Sequence, residues 1–176
     1  MCAEEEPAGG AQGRTPGQRI LLLIGSVGPL GYAPASGTVT VAVAGIPLLW
    51  ALHTLPLAAY LAVTAALTAA AVVVHDAGDR ILGEKDSRKL VLDEIVGFLV
   101  AMTAVPFTWQ LVALGFFLER AIDIAKVFPA NRIERRWPGG WGVVGDDVMA
   151  GLYALALLQL ACHFAPGAVG LTAGVG

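Results

Sequence analysis

The chain has 176 residues, enough for one domain by length, with 56% hydrophobic and only 14% charged residues. Soluble domains carry about 25% charged residues. Together with a mean hydropathy of +0.70, this composition indicates a membrane protein or an unusually apolar soluble one. The net charge of −3 argues against a nucleic-acid partner. Cys2 and Cys162 lie near opposite ends, which predicts neither a disulfide framework nor a cysteine metal site.

The N-terminal third opens with a polar segment and continues without any charge. Residues 1–19 are rich in glycine, proline and glutamate, which predicts a flexible tail, and their acidic end is unlike a signal peptide. Glycines and prolines between 25 and 37 predict a loop or broken segment. A helix is predicted from near Thr38 to near Leu52, followed by a turn at 54–56.

The middle of the chain alternates apolar and charged stretches. Leu57–Val74 is uncharged and long enough for about one bilayer crossing. Residues 75–88 are dense in charge and predict an aqueous loop or a short helix. Ile95–Leu118 is uncharged again but is interrupted at Pro106. It is either one kinked span or a hairpin of two helices, near 89–105 and 107–127.

The positions of lysine and arginine decide between these two topologies. They fall in three groups, at 14–19, 80–89 and 120–136. A hairpin places all three groups on one side of the membrane, which the positive-inside bias makes cytoplasmic. A single span would instead separate Asp93 from Asp123 by more than about 36 Å at the helical rise. We therefore predict the hairpin.

The last third contains a glycine-rich stretch and a final apolar segment. Residues 137–147 predict a loop that brings Asp146 and Asp147 to the start of a span at Val148–Ala165. The segment 167–176 predicts a second flexible tail. The expected fold is all-α, a polytopic helical membrane bundle at 20–166 with short hairpins and Gly-rich cytoplasmic loops.

Three acidic clusters are expected to share the cytoplasmic edge of this bundle. Each has a plain structural explanation: the start of a helix, a solvated ion-pair stripe, or a helix cap. Together they would repel one another without a counter-charge, which favours a divalent cation such as Mg²⁺. The candidate metal-binding and catalytic acids are Asp93, Glu94, Asp123, Asp146 and Asp147.

Cations near these acids predict an anionic ligand. Arg120 and Lys126 share a helical face with Asp123, and Arg132 follows, so all three can bind phosphate. The hydroxyl of Thr38 either donates to the same phosphate or caps its helix. Cations, Mg²⁺ and a lipid-facing wall together describe a site for a phosphorylated lipid.

Four motifs, in this order, carry a resemblance to a known family. They are GYAPASGT at 31–38, LVLDEIVG at 90–97, RAIDIAK at 120–126 followed by Pro129, and GGWGVVGDD at 139–147 followed by Ala150-Gly151. In these motifs the chain resembles the phosphatidylglycerophosphatase A family of bacterial membrane lipid phosphatases. Ser36, Thr40, Val41 and Val127 depart from the usual family pattern, which bears on substrate fit more than on chemistry.

The resemblance implies Mg²⁺-dependent removal of the terminal phosphate of phosphatidylglycerophosphate, which yields phosphatidylglycerol in phospholipid biosynthesis. It also implies a multi-pass protein of the bacterial cytoplasmic membrane with its active site facing the cytoplasm. Attack by water and a phospho-aspartyl intermediate both remain open, as do the number of metal ions and the oligomeric state.

Two other function classes compete with the phosphatase. A small membrane transporter could use the carboxylates as ion ligands, but the acids cluster at predicted helix ends and no inverted repeat is visible. A phosphatidyltransferase of the CDP-alcohol type would carry a signature that this sequence lacks. The phosphatase is the expected function.

Overall fold

The structure is a computed structural model, and it describes residues 13–125, 128 and 137–171. These residues are helical or irregular, and no strand occurs among them. Parts of the two predicted tails, residues 1–12 and 172–176, lie outside the described residues. The helices are α1 (Pro16–Gly25), α2 (Ser36–Leu52), α3 (Leu57–Leu82), α4 (Leu92–Ala101), α5 (Trp109–Ala125) and α6 (Gly140–Phe164).

Helix α1 begins inside the stretch that was predicted to be a flexible tail. Pro16 occupies the first turn, where its missing N–H costs nothing. The hydroxyl of Thr15 accepts a hydrogen bond from the Gln18 amide at 3.3 Å, and the Gln18 side chain accepts one from the Thr15 amide at 2.9 Å. This capping box starts the helix at Pro16 despite the polar composition around it.

Helices α2 and α3 follow the predicted pattern up to the charged stretch. A π-helical segment, Val41–Gly45, lies within α2. Helix α3 begins directly after Pro56 and ends at Leu82, and the next residue, Gly83, has a left-handed φ of 73° that suits a glycine. Most of the stretch 75–88, predicted as a loop or short helix, therefore continues α3.

The sequence predicted a hairpin of two helices near 89–105 and 107–127, and the structure has two separate, shorter helices in these stretches, α4 and α5. Ala104 has a left-handed φ of 53° in the connector. The hydroxyl of Thr108 accepts a hydrogen bond from the Leu111 amide at 3.2 Å and so caps the start of α5. The ring centroids of His53 and Phe107 lie 4.5 Å apart. The α2–α3 and α4–α5 connectors therefore lie at the same end of the bundle.

The prediction of a glycine-rich loop at 137–147 is wrong from Gly140 onward, where α6 begins. Gly139 precedes the helix with φ 60° and ψ −148°, a conformation that favours glycine. The Gly140 amide donates a hydrogen bond to Asp76 Oδ1 at 2.6 Å. A Cβ atom at Gly140 would collide with the Val72 carbonyl oxygen. These glycines therefore permit close packing of α6 against α3.

Helix α4 is the centre of the packing. Its residues are buried almost throughout, including Phe98 and Leu99, and α6, α3, α5 and the π-helical segment of α2 enclose it. At about 15 Å, α4 is too short to cross a hydrocarbon core of about 30 Å. Helices α3 and α6 are long and apolar enough to cross a membrane.

Candidate active site

A cavity of about 700 Å³ opens at the charged end of the bundle. Its walls come from the loop before α2, the start of α2, the α3–α4 loop, and the charged ends of α4, α5 and α6. Residues from all four sequence motifs therefore meet in one place. The five predicted acids and Thr38 all line this cavity.

Three of the predicted acids converge closely enough to share a cation. Glu94, Asp123 and Asp147 each offer a carboxylate oxygen, and these oxygens lie within 4.8 Å of one another. Mg²⁺ binds oxygen at about 2.0–2.1 Å, so ligands on opposite sides of the ion lie about 4.2 Å apart. The three carboxylates, which lie on three different helices, therefore need to move inward only slightly to bind Mg²⁺. Asp93 and Asp146 line the cavity outside this group.

The guanidinium group of Arg120 lies among these carboxylates. Its Nη1 contacts Glu94 Oε2, and Asp123 Oδ2 lies 3.5 Å from the same nitrogen. Its Nη2 lies 3.5 Å from Asp147 Oδ1. Arg120 is only 6% exposed. A buried cation in this position offsets part of the repulsion among the acids, so Arg120 faces the acidic cluster as well as the cavity.

Glu119 is a member of this network that the sequence reasoning missed. Its side chain is fully buried, and it accepts hydrogen bonds from Arg120 Nε at 2.7 Å and from Nη2 at 2.5 Å. A buried carboxylate requires such a bidentate partner. The available signal was its spacing of four residues from Asp123, which places both acids on one face of α5.

A histidine of α3 contacts the carboxylate of Asp93. His75 Nε2 lies 3.2 Å from Asp93 Oδ1, and the His75 side chain is fully buried. The burial of His75 next to Asp93 fits a positioning role. Because Asp76 also binds the start of α6, the charged end of α3 positions both α4 and α6.

The α3–α4 loop adds two cations that the sequence reasoning did not assign to the site. Arg88 and Lys89 line the cavity, as does Asp86 of the same loop. Glu84 in the same loop accepts a hydrogen bond from Ser87 Oγ at 2.6 Å and faces Lys89, and these contacts lower the pKa of Glu84. Two predicted phosphate-binding residues, Lys126 and Arg132, lie outside the described residues.

Comparison with known proteins identifies relatives. The family model described as "Phosphatidylglycerophosphatase A" matches residues 23–162. Phosphatidylglycerophosphatase A of Escherichia coli is 34% identical over 86 residues, which cover 48% of this chain and 50% of that protein. The Haemophilus influenzae protein of the same name is 35% identical over 78 residues, covering 44% and 48%. These matches thus span about half the length of each relative.

A third relative matches over a longer stretch. The Bacteroides thetaiotaomicron protein named "Putative phosphatidylinositol-3-phosphatase" is 36% identical over 149 residues, which cover 80% of this chain and 92% of that protein. No solved structure matches the chain.

Proposed function

This chain belongs to the phosphatidylglycerophosphatase A family, and from that premise we propose that it is a lipid phosphatase. The proposed substrate is phosphatidylglycerophosphate, and the products are phosphatidylglycerol and inorganic phosphate. The observation that carries the proposal is the convergence of Glu94, Asp123 and Asp147 around Arg120 in one cavity. Family membership supplies the substrate class, and the cavity supplies groups suited to phosphate chemistry.

We propose that the reaction depends on Mg²⁺ held by Glu94, Asp123 and Asp147, with Asp93 and Asp146 as further candidate ligands. When bound, Mg²⁺ polarises phosphoryl oxygens and lowers the pKa of a bound water. The donor set supports this assignment because Mg²⁺ prefers carboxylate oxygens. An excess of buried carboxylates over the guanidinium of Arg120 also calls for additional positive charge.

The chain's own residues have four roles in the proposed reaction. A carboxylate of the cluster accepts the proton of the attacking water, whose oxygen forms the new bond to phosphorus. The bond from phosphorus to the glycerol oxygen breaks, and that oxygen takes up a proton from solvent water as it leaves. Arg120 offsets charge on the phosphoryl oxygens. The buried His75 holds Asp93 in a fixed orientation. Thr38 also lines the cavity and is a candidate donor to the phosphate.

The proposed location is the bacterial cytoplasmic membrane, with the cavity facing the cytoplasm. Helices α3 and α6 have the length and apolar character of membrane spans. The three groups of cations predicted for the cytoplasmic side include Arg88 and Arg120, which line the cavity. An opening at this end would admit a lipid headgroup from the membrane surface.

The transporter alternative is less well supported. A transport site is expected near the middle of the bilayer, between discontinuous helices. Here Glu94 lies in the first turn of α4 and Asp123 in the last turn of α5, so these acids lie at helix ends.

A phosphoinositide is a second candidate substrate. The Bacteroides relative is named a putative phosphatidylinositol-3-phosphatase, and its match to this chain covers 92% of its length.

The test is phosphate release by the purified chain in detergent micelles. Phosphatidylglycerophosphate and phosphatidylinositol 3-phosphate are compared at equal surface concentration. We expect the higher kcat/KM for phosphatidylglycerophosphate. A higher kcat/KM for the inositol lipid would identify it as the preferred substrate in place of phosphatidylglycerophosphate. Absence of phosphate release from both lipids would contradict the proposal that the chain is a phosphatase.

A further inference from the structure

We infer that Arg88 and Lys89 bind the phosphodiester group of the lipid substrate, which makes the α3–α4 loop a second anion-binding wall of the cavity. This inference rests on the proposed function, because it concerns a substrate with two phosphate groups. The terminal phosphomonoester and the phosphodiester lie at opposite ends of the headgroup, so each requires its own partners.

The first argument is that the cation closest to the acids is already engaged. Arg120 makes a bidentate contact with Glu119 and also contacts Glu94. Its charge is therefore shared with several carboxylates before any substrate arrives. A second phosphate in the same cavity needs other cations, since a wall of acids alone would repel it.

The second argument is that the loop provides cations with free binding capacity. Arg88 is exposed and lines the cavity, and among the described residues no side chain pairs with its guanidinium group. Lys89 lies 3.6 Å from Glu84, but both side chains are about half exposed, so this surface pair is weak. Arginine and lysine in these positions can turn toward a phosphate oxygen at little cost.

The third argument is that the loop backbone is held in place from three sides. Ser36 Oγ donates a hydrogen bond to the Arg88 carbonyl at 2.9 Å, which joins the loop to α2. The carboxylate of Asp79 accepts a hydrogen bond from the Asp86 amide at 2.9 Å. Gly31 lies so close to the Lys89 carbonyl that a Cβ atom there would collide with it. The two cations therefore project from an anchored segment.

Depth within the cavity assigns the two phosphates. Asp93 and Asp147 are each 5% exposed, whereas Arg88 and Lys89 are exposed. A lipid that enters headgroup first brings its terminal phosphate to the buried acids and their metal ion. The phosphodiester follows nearer to the mouth, where Arg88 and Lys89 lie.

The test uses inhibitors that each carry one part of the substrate. The full chain is assayed with phosphatidylglycerophosphate in micelles, with inorganic phosphate or phosphatidylglycerol as competitor. Phosphatidylglycerol retains only the phosphodiester. Arg88→Ala and Lys89→Ala are compared with Arg80→Ala, which removes one exposed cation of α3 outside the cavity. Arg88→Lys keeps the charge without the bidentate fork.

We expect Arg88→Ala and Lys89→Ala each to raise the KM and the Ki of phosphatidylglycerol roughly tenfold, the scale of one charge-assisted contact. The kcat and the Ki of inorganic phosphate should stay close to wild type, and Arg88→Lys should recover part of the loss. Arg80→Ala should match the wild type throughout.

Three outcomes would overturn the inference alone while the wild type remains active. One is a Ki of phosphatidylglycerol that changes no more in the loop variants than in Arg80→Ala. Another is an equal rise in the Ki of inorganic phosphate, which would assign the cations to the terminal phosphate. The third is a wild type that phosphatidylglycerol does not inhibit. A wild type without activity would contradict the proposed function and this inference together.

Discussion

Arg120 shows how strongly a single residue can depend on its surroundings. Its guanidinium lies between the fully buried Glu119 and the cavity acids Glu94, Asp123 and Asp147. The sequence predicted that Arg120 and Asp123 share a helical face, and the structure confirms that they are close. It did not predict Glu119, although the spacing of four residues from Asp123 places both acids on one face of α5, because an acid at the end of a long apolar run is equally compatible with an exposed position.

The pair Glu119–Arg120 leads to a prediction about stability. Arg120→Ala leaves the carboxylate of Glu119 buried without its partner, and breaking such a pair costs about 3–5 kcal/mol. We expect a clearly lower thermal unfolding midpoint in detergent. The double variant Glu119→Gln/Arg120→Ala should recover much of that loss, since no charge is then left buried at position 119. If Arg120→Ala is as stable as the wild type, the Glu119–Arg120 pair does not contribute to stability.

At the scale of helices, glycine serves packing more than flexibility. Gly151 on α6 lies against the Gly97 carbonyl on α4, and a Cβ atom at Gly97 would lie 2.9 Å from the Asp147 carbonyl. Close contact between these helices brings Asp147 toward Glu94. The same glycine density is compatible with a loop or with a helix crossing, so composition alone led to the wrong assignment at 140–147.

This contact predicts different results for two glycine substitutions within helices. Gly151→Ala would place Cβ against the Gly97 carbonyl and 3.0 Å from Val100 Cβ, and overpacking of this kind costs about 1–3 kcal/mol. Gly17→Ala is the matched control, because nothing lies within 4 Å of the added Cβ in α1. We expect a lower unfolding midpoint for Gly151→Ala, and an unchanged or slightly higher one for Gly17→Ala. Equal midpoints would argue against a tight α4–α6 contact.

The elements that the sequence predicted well share one property, which is a long uninterrupted apolar run. Such a run identified α3 and the second half of α6, whereas the two helices of the hairpin were recognised from the break at Pro106 and the positions of the cations. It could not place the end of α3, where a charged but still helical stretch continues to Leu82. It also could not place the start of α1, which depends on the local capping box at Thr15.

For the molecule as a whole, the separation of connectors and charges predicts an orientation in the membrane. In a chain without its native Cys2 and Cys162, we expect Thr54→Cys to react with an impermeant maleimide only from the periplasmic side. Lys85→Cys should react only from the cytoplasmic side. Both positions are exposed and lie at opposite ends of α3. Labelling of both from one side would contradict the proposed topology.

The central claim is that the acids of the cavity form a Mg²⁺ site for phosphate removal, and a Mg²⁺ titration of phosphate release tests it most directly. The wild type is compared with Asp147→Asn and with Glu84→Gln, an exposed acid outside the cavity. Thermal unfolding establishes that all three fold.

We expect excess chelator to abolish release by the wild type, and Glu84→Gln to keep the wild-type Mg²⁺ midpoint. Asp147→Asn should raise that midpoint by roughly 10–100-fold or more, since even the loss of an outer-shell partner costs that much metal affinity. Full activity in excess chelator, or an unchanged midpoint in Asp147→Asn, would contradict the account.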